Sequence, residues 1–462
     1  MSDSEVFTIK QIIQYENRYI KKYSFGKLIN KASSKISDFI NQDFSNKKLL
    51  FVCGPGNNGL DGELACKKLK RKNIRLLKIN KKGHTDFSLL RSLIYEVDVI
   101  FDCIFGTGLN KKLNKNFIEV VNILNNSNKK IVSVDIPTGI NGDTGKVMGK
   151  SVKADITLCM QFLKIGYFLL PGKKFIGKII QLKLGLSSSK KRIPKINLIK
   201  KKFFKKQIPN FDLGINKYNK GHVLVIGGEM PGASRLVAYS SRKSGAGLST
   251  IAVDKKYINL YSDSEPGTII KKYEESDLDN KDALVIGPGL GKKFSKKKII
   301  KILEIFNGPI IIDADAISVF EYKKNEFKDF LKNKKNILLT PHVGEFKRIF
   351  NYVFDSKILN CVEASNSIEN HVLFKGHDSV ISFFNDDIWI NSLKNNNLAT
   401  AGSGDILCGL VAGLIAQKMN FKSAVIAGVW IQSEISKSRN NVVVEDFLKK
   451  IPHIINSLKN NN

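Results

Sequence analysis

Residues 397–409, Asn-Leu-Ala-Thr-Ala-Gly-Ser-Gly-Asp-Ile-Leu-Cys-Gly, place one acid, Asp405, behind a glycine turn and at the mouth of an apolar run. Gly402 and Gly404 let the backbone approach a ligand without a Cβ in the way. The first amides of a helix beginning near Asp405 lack intrahelical acceptors, so the turn suits an anion such as phosphate. A carboxylate beside bound phosphate is unfavourable unless it moves a proton, which points to proton transfer to or from a group that meets a phosphoryl. The same string also reads as an ordinary turn with Asp as helix N-cap. Only the surroundings decide between the two.

A second set of acids lies in the first half. The run Lys48–Cys53 leads into Gly54-Pro-Gly-Asn-Asn-Gly-Leu-Asp-Gly62, a Gly-x-Gly-x-x-Gly spacing. That spacing is weak evidence for a dinucleotide, because no acid closes the next run at Ile79 to bind a ribose. Asp102 and Asp135 each end an apolar run, which would point both carboxylates into one crevice. Asp135 reads equally well as a cap on the turn at Pro137.

These residues need elements to carry them. Apolar β-rich runs recur at Lys48–Cys53, Ile74–Ile79, Val97–Ile104, Ile131–Asp135 and Asp155–Cys159, separated by helical spacings such as Gly62–Lys72 and Asn116–Leu124. The alternation predicts a doubly wound, Rossmann-like parallel sheet. Between Leu186 and Asn210 the composition shifts to Ser and Lys with prolines at 194 and 209, which reads as a solvated connector between domains at 1–200 and 205–462. Beyond it, His222–Ile226, Thr250–Val253, Ala283–Ile286, Ile310–Asp313, Asn336–Thr340 and His371–Lys375, then a hairpin-like pair at Val380–Phe384 and Ile388–Asn391, predict a second α/β domain. Five loops there follow predicted strands, where open α/β sheets bind ligands: Gly227–Ala233, Gly287–Gly291, Asp313–Ala316, Thr340–Glu345 and Lys375–Ser379.

Bulk properties exclude some classes. The 462 residues exceed one ordinary core, and the 42% hydrophobic content supports globular folding. The net charge of +33 would suit nucleic acid, but the lysines are scattered among asparagines and isoleucines rather than gathered in a stripe, so it reads as compositional drift. Six cysteines, at 53, 66, 103, 159, 361 and 408, show no metal-like spacing and fit a reducing compartment. The segment Met1–Val6 lacks a signal-peptide pattern, and the apolar run from Ile406 to Ala416 is too short to cross a membrane. The expected location is cytoplasmic.

Taken as a set, the second-half loops resemble the ribokinase-like superfamily and, within it, the NAD(P)H-hydrate dehydratases. The motifs that carry this are Pro231-Gly-Ala233, Thr340-Pro-His-Val-Gly-Glu345 and Asn397-Leu-Ala-Thr-Ala-Gly-Ser-Gly-Asp405. The resemblance implies that Ala233, Gly289, His342 and Asp405 contact a hydrated nicotinamide cofactor. It also implies that Lys375, Gly376, His377, Asp378, Ser379 and Gly404 hold the nucleotide, ADP, and that Asp405 is the catalytic base. His342 also reads as a simple backbone cap, and Asp313 and Asp315 as turn residues or as acids acting indirectly near Mg2+.

The first half is similar to NAD(P)H-hydrate epimerases at Gly54–Gly62, at Phe101-Asp102 through Gly106-Thr-Gly108 to Lys112, and at Val134-Asp135-Ile-Pro137-Thr138-Gly139. By that resemblance the hydrate lies against Asn57, Asn58, Gly59, Leu60, Asp61, Gly106, Thr107, Gly108, Leu109, Asn110, Lys111, Lys112 and Asp135. A potassium ion takes oxygens from Asn58, Asp102 and Thr138, and Asp135 is the acid/base. Leu60 stands where the family has glycine, and the segment Leu28–Ser33 follows the family helix only loosely. The implied activity is metabolite repair, with epimerisation feeding dehydration. The implied partners are hydrated NADH and NADPH and ADP, in a homo-oligomer, with no nucleic acid or membrane. The alternatives are a small-molecule kinase for a sugar or pyrimidine alcohol, and an epimerase-like scaffold that binds RNA.

Overall fold

In the computed structural model, residues 4–187, 195–393, 397–437 and 442–459 are described. Residues 1–3 and 188–194, which hold parts of the N-terminal segment and the connector discussed above, lie outside the described residues. The chain divides into two compact units, Met1–Arg192 and Ile193–Asn462.

In the first unit the strands are β1 (Glu5–Phe7), β2 (Leu49–Cys53), β3 (Ile74–Lys78), β4 (Val99–Cys103), β5 (Lys130–Val134), β6 (Ile156–Met160), β7 (Leu163–Lys164) and β8 (Lys178–Leu182). The main sheet runs β3-β2-β4-β5-β6-β8, and all its pairings are parallel. Such strands are apolar throughout because both faces are covered. Leu49, Phe51 and Cys53 enter one core while Leu50 and Val52 enter the other. After β2 the chain first adds β3 on one side and then crosses to β4 on the other. The loops after β2 and β4 therefore part at the sheet's carboxyl edge and open a crevice.

The second unit repeats the logic with β9 (Ile196–Leu198), β10 (His222–Ile226), β11 (Leu248–Val253), β12 (Ile269–Lys272), β13 (Ala283–Ile286), β14 (Ile310–Ile312), β15 (Ile337–Leu339), β16 (His371–Phe374), β17 (Val380–Ser382) and β18 (Ile388–Ile390). The order is β12-β11-β10-β13-β14-β15-β16-β17-β18-β9, parallel from β12 to β16 and antiparallel on to β18. Its switch point lies between β10 and β13. The helix Ser403–Ala416 packs on the helix Pro231–Lys243 at very short range. A Cβ at Gly409 would stand 1.9 Å from Ser240 Oγ, and one at Gly413 would stand 2.0 Å from Ser244 Oγ. Those two glycines let the helix carrying Asp405 sit this close to its neighbour.

One boundary differs from expectation. Residues 195–210 are not a solvated connector: β9 pairs in parallel with β18, and Ile196, Leu198, Ile199 and Phe204 are buried in the second unit. Three apolar residues in a lysine-rich stretch give too short a run to register as a strand.

Candidate functional sites

The first unit encloses a cavity of about 610 Å³ at the crevice between β2 and β4. Its walls include Asn57, Asn58 and Asp61 from the loop and helix after β2, Gly106–Leu109 after β4, Asp135 after β5, and Glu16 from the N-terminal helix Ile9–Lys22. Leu28, Ile29 and Ala32, in the loosely matching segment of the helix Phe25–Asp43, form part of the same wall.

Asp135 has φ +68°, a left-handed conformation uncommon for a side chain larger than glycine. Several contacts hold it there. Its Oδ2 accepts from the Thr107 amide at 2.9 Å, its Oδ1 pairs with Lys164 Nζ at 2.7 Å, and its carbonyl accepts from the Tyr167 hydroxyl. Backbone strain held this firmly by its surroundings is typical of working sites. Lys164 is wholly buried, and although burial pulls its pKa down, the Asp135 charge beside it leaves the net shift upward. Burial, with the Asp135 charge adding to it, raises Asp61 to about 8 and Glu16 to about 7. The cavity thus combines an ion-paired carboxylate with two carboxyl groups that hold protons near neutrality.

Asp102 departs from the expected arrangement. It does not share the crevice with Asp135 but is wholly buried inside β4. It accepts from Ser133 Oγ at 2.7 Å, Thr138 N at 2.9 Å, Thr138 Oγ1 at 2.7 Å and Ile104 N at 3.3 Å. Burial raises its pKa against the pull of those bonds. The role of capping the turn after Pro137, read above as an alternative for Asp135, thus falls to Asp102. Asn58 donates to the Val134 carbonyl at 3.2 Å, while its Oδ1 is buried with no hydrogen-bond partner.

Gly59, Leu60, Asn110, Lys111 and Lys112 do not line the cavity. Gly59 serves packing instead, because a Cβ there would meet the Gly54 carbonyl at 1.9 Å. Leu60 lies in the first turn of the helix Asn57–Leu69 with its amide bonded to the Gly56 carbonyl at 3.1 Å, and its φ is not positive. The leucine therefore sits on ordinary helical backbone that any L side chain adopts. Sequence reasoning missed Glu16, Lys164 and Tyr167; the one signal for Lys164 was a cation inside the apolar run from Ile156 to Leu170.

In the second unit the loops after β10 and β13 lock together across the switch point. Gly289 has φ +74°, and a Cβ there would fall 3.2 Å from that of Ala233 and 2.2 Å from the Met230 carbonyl. Gly402, at φ +85°, begins the helix Ser403–Ala416, whose first turn holds Asp405. Burial raises Asp405 to about 7, with the charges of Asp313, Asp315 and Glu345 adding to it and Lys375 opposing.

Lys375 is the hub of this site. Its ammonium pairs with Asp313 at 2.5 Å, lies 4.0 Å from Glu345, and would be 3.3 Å from a Cβ at Gly404. Burial lowers its pKa, but the Asp313, Cys408 and Glu345 charges outweigh that and raise it. In the following turn Gly376 N bonds Ser379 Oγ at 3.1 Å, and Asp378 pairs with Lys357 at 2.7 Å.

His342 caps the helix Val343–Ile349: its Nδ1 accepts from Gly344 N at 2.9 Å and Glu345 N at 3.2 Å, and Glu345 accepts from the His342 amide at 2.8 Å. An accepting Nδ1 leaves the ring proton on Nε2, which lies 3.4 Å from Glu345 Oε1. Asp313 is committed to Lys375 and to the Cys408 thiol at 3.3 Å, and Asp315 to the Gly291 amide at 2.9 Å. Among the described residues, no group of three or more His, Cys, Asp or Glu side chains is placed to hold a metal, and no helix is long and apolar enough to cross a membrane.

Known proteins match segments of both units. The family model for NAD(P)H-hydrate dehydratase matches residues 223–455, and that for the YjeF-related protein N-terminus matches residues 77–166. The bifunctional NAD(P)H-hydrate repair enzyme Nnr of Dictyoglomus turgidum (strain DSM 6724 / Z-1310) is 29% identical over 98% of this chain and 99% of its own. The enzyme of the same name from Coxiella burnetii (strain RSA 493 / Nine Mile phase I) is also 29% identical, over 84% of each. Among solved structures, a ribokinase-like superfamily protein from Enterococcus faecalis V583 superposes with a TM-score of 0.50 at 23% identity, over 57% of this chain and 96% of that one, which shows the shared fold. Since the dehydratase match spans half of the chain, the protein belongs to the NAD(P)H-hydrate dehydratase family and carries a YjeF-related domain ahead of it.

Proposed function

We propose that the protein repairs hydrated NADH and NADPH in two steps: its first unit interconverts the R and S hydrates, and its second dehydrates the S form while consuming ADP. The observation that carries the second step is Asp405, a half-buried acid raised to about 7 at a helix N-terminus beside Lys375. A hydroxyl on the reduced ring is a poor leaving group, and phosphorylation makes it one that the ring nitrogen's electrons can expel. Asp405 takes the hydroxyl proton as the oxygen attacks the terminal phosphoryl of ADP, and the amides at 402–405 bind the charge that develops. AMP remains; phosphate leaves with the carbon–oxygen electron pair as the nitrogen lone pair forms an iminium, and loss of a proton from the adjacent ring carbon to water then forms the ring double bond.

Ala233, Gly289 and His342 would line the hydrate side, and Lys375–Ser379 with Gly404 the nucleotide side. Mg2+ would enter with the nucleotide. In the first unit the unpartnered Asn58 Oδ1 and the bonded pair Asp102 and Thr138 fit an oxygen-ligated potassium ion. When bound, that ion would offset the buried charge of Asp102. Asp135 would serve as acid/base for the epimers.

The test is incubation of the S hydrate with ADP. The proposal expects reduced-nicotinamide absorbance to return with one AMP and one phosphate per turnover. A stable phosphorylated product from a sugar or pyrimidine alcohol, with no absorbance recovered, would establish a kinase instead.

A further inference from the structure

The cavity of the first unit holds more proton chemistry than one acid/base requires. Asp61, on the helix Asn57–Leu69, lines it, and its Oδ1 is buried without a hydrogen-bond partner. A neutral carboxyl tolerates such a position, whereas an ionised one would leave charge unsolvated. Asn58, only 8% exposed, lines the same cavity and also has a buried oxygen without a partner, the one assigned above to the potassium ion. Polar atoms left this way in a buried wall await a ligand. Asp135, which lines the same cavity and whose charge acts on Asp61, is ion-paired with Lys164.

We propose that Asp61 is the general acid of the epimerisation and Asp135 its general base, an inference that rests on the epimerase reading above. The Asp61 hydroxyl gives its proton to the hydroxyl on the ring carbon beside the ring nitrogen. The carbon–oxygen bond breaks with its electron pair on oxygen, water leaves, and the nitrogen lone pair forms a planar iminium. Water then attacks the other face, a new carbon–oxygen bond forms, and the Asp135 carboxylate takes the released proton. Exchange with solvent returns a proton to Asp61 and removes one from Asp135. No oxidant or further reactant is required.

The groups facing Asp61 set the sign of its pH response. They are Glu16 from the N-terminal helix, Asp135 from the end of β5 with Lys164 behind it, and Cys103 at the end of β4, a thiol that burial keeps protonated. Burial and the two carboxylates hold the Asp61 proton up to about pH 8, so the acid is available at neutral pH and lost above it.

The test measures the epimer ratio from pure R hydrate, without nucleotide, from pH 6 to 9.5, using the full-length chain. Wild type is expected to lose rate on the alkaline side. Asp61→Asn is expected to lower kcat at least about 100-fold, to leave KM within about threefold, and to lose the alkaline decline. Glu16→Gln removes a like charge and is expected to move that decline to lower pH. The proposal is overturned if Asp61→Asn keeps its rate within threefold, if its residual rate shows the same alkaline decline, or if Glu16→Gln leaves the decline in place. A wild-type chain with no epimerisation at any pH would instead overturn the epimerase reading itself.

Discussion

In the proposed reading, the two sites meet the problem of moving a proton beside a charged cofactor in different ways. The second unit relies on backbone: glycine loops at a switch point, a helix N-terminus, and one acid, Asp405, tuned by burial and by Lys375. The first unit relies on side chains, collecting Glu16, Asp61, Asp135 and Lys164 from four separate elements around a cavity. Phosphoryl transfer brings its own negative charge, which amides and a lysine must meet. Interconversion of epimers transfers no phosphoryl, so its chemical step needs only donors and acceptors of protons.

The largest expected effect follows from the single-acid design. Asp405→Asn should lower kcat for dehydration about 10³-fold with KM little changed and with epimerisation intact; a steady-state assay of each activity checks it. The shared design of the first unit predicts a mixed effect. Lys164→Met should cut epimerisation about 100-fold and also destabilise the chain by about 1–3 kcal/mol, read from a urea titration, because the partly buried Asp135 is left without its partner. Lys164→Arg should recover part of both.

A gentler probe uses pH. A base must be deprotonated to act, so dehydration should rise about tenfold per pH unit below about pH 6 and level off above the Asp405 value of about 7. Epimerisation should fall on the alkaline side instead, and two profiles of the same direction would remove the contrast between the sites.

Smaller effects concern the scaffold. Gly409→Ala should cost about 1–3 kcal/mol of stability, because the helix bearing Asp405 must back away from Ser240 and the Val237 carbonyl. His342→Ala should cost about 1 kcal/mol through its lost cap. It should also raise KM for the hydrate severalfold if Nε2 meets substrate; thermal melting and steady-state kinetics read the two effects separately.

The contrast also explains what could be read in the chain. Gly402 and Asp405 are legible together because the turn and the acid it delivers are contiguous, and Gly289 because its glycine loop directly follows an apolar strand run. Lys164 and Glu16 carry no motif. One depends on the two-residue strand β7 and the other on a helix far away in sequence, so their approach to Asp135 exists only after folding. Asp102 was misplaced because a strand-end acid can face the crevice or turn inward, and Ser133 and Thr138, which draw it inward, belong to the neighbouring strand and its turn. The same limit applies to β9, which becomes a strand only because β18 offers it an edge.

The central claim is that two independent sites act in sequence on one cofactor. It is tested most directly by supplying a mixture of R and S hydrates with ADP to wild type, Asp135→Asn, Asp405→Asn, and an equal mixture of the two variants. Complete repair is expected for wild type, a stall after the S fraction for Asp135→Asn, and none for Asp405→Asn. The mixed variants should again repair everything, because the hydrate diffuses from one chain to the other. Full repair by Asp405→Asn alone, or failure of the mixture to pass the stall, would contradict the account.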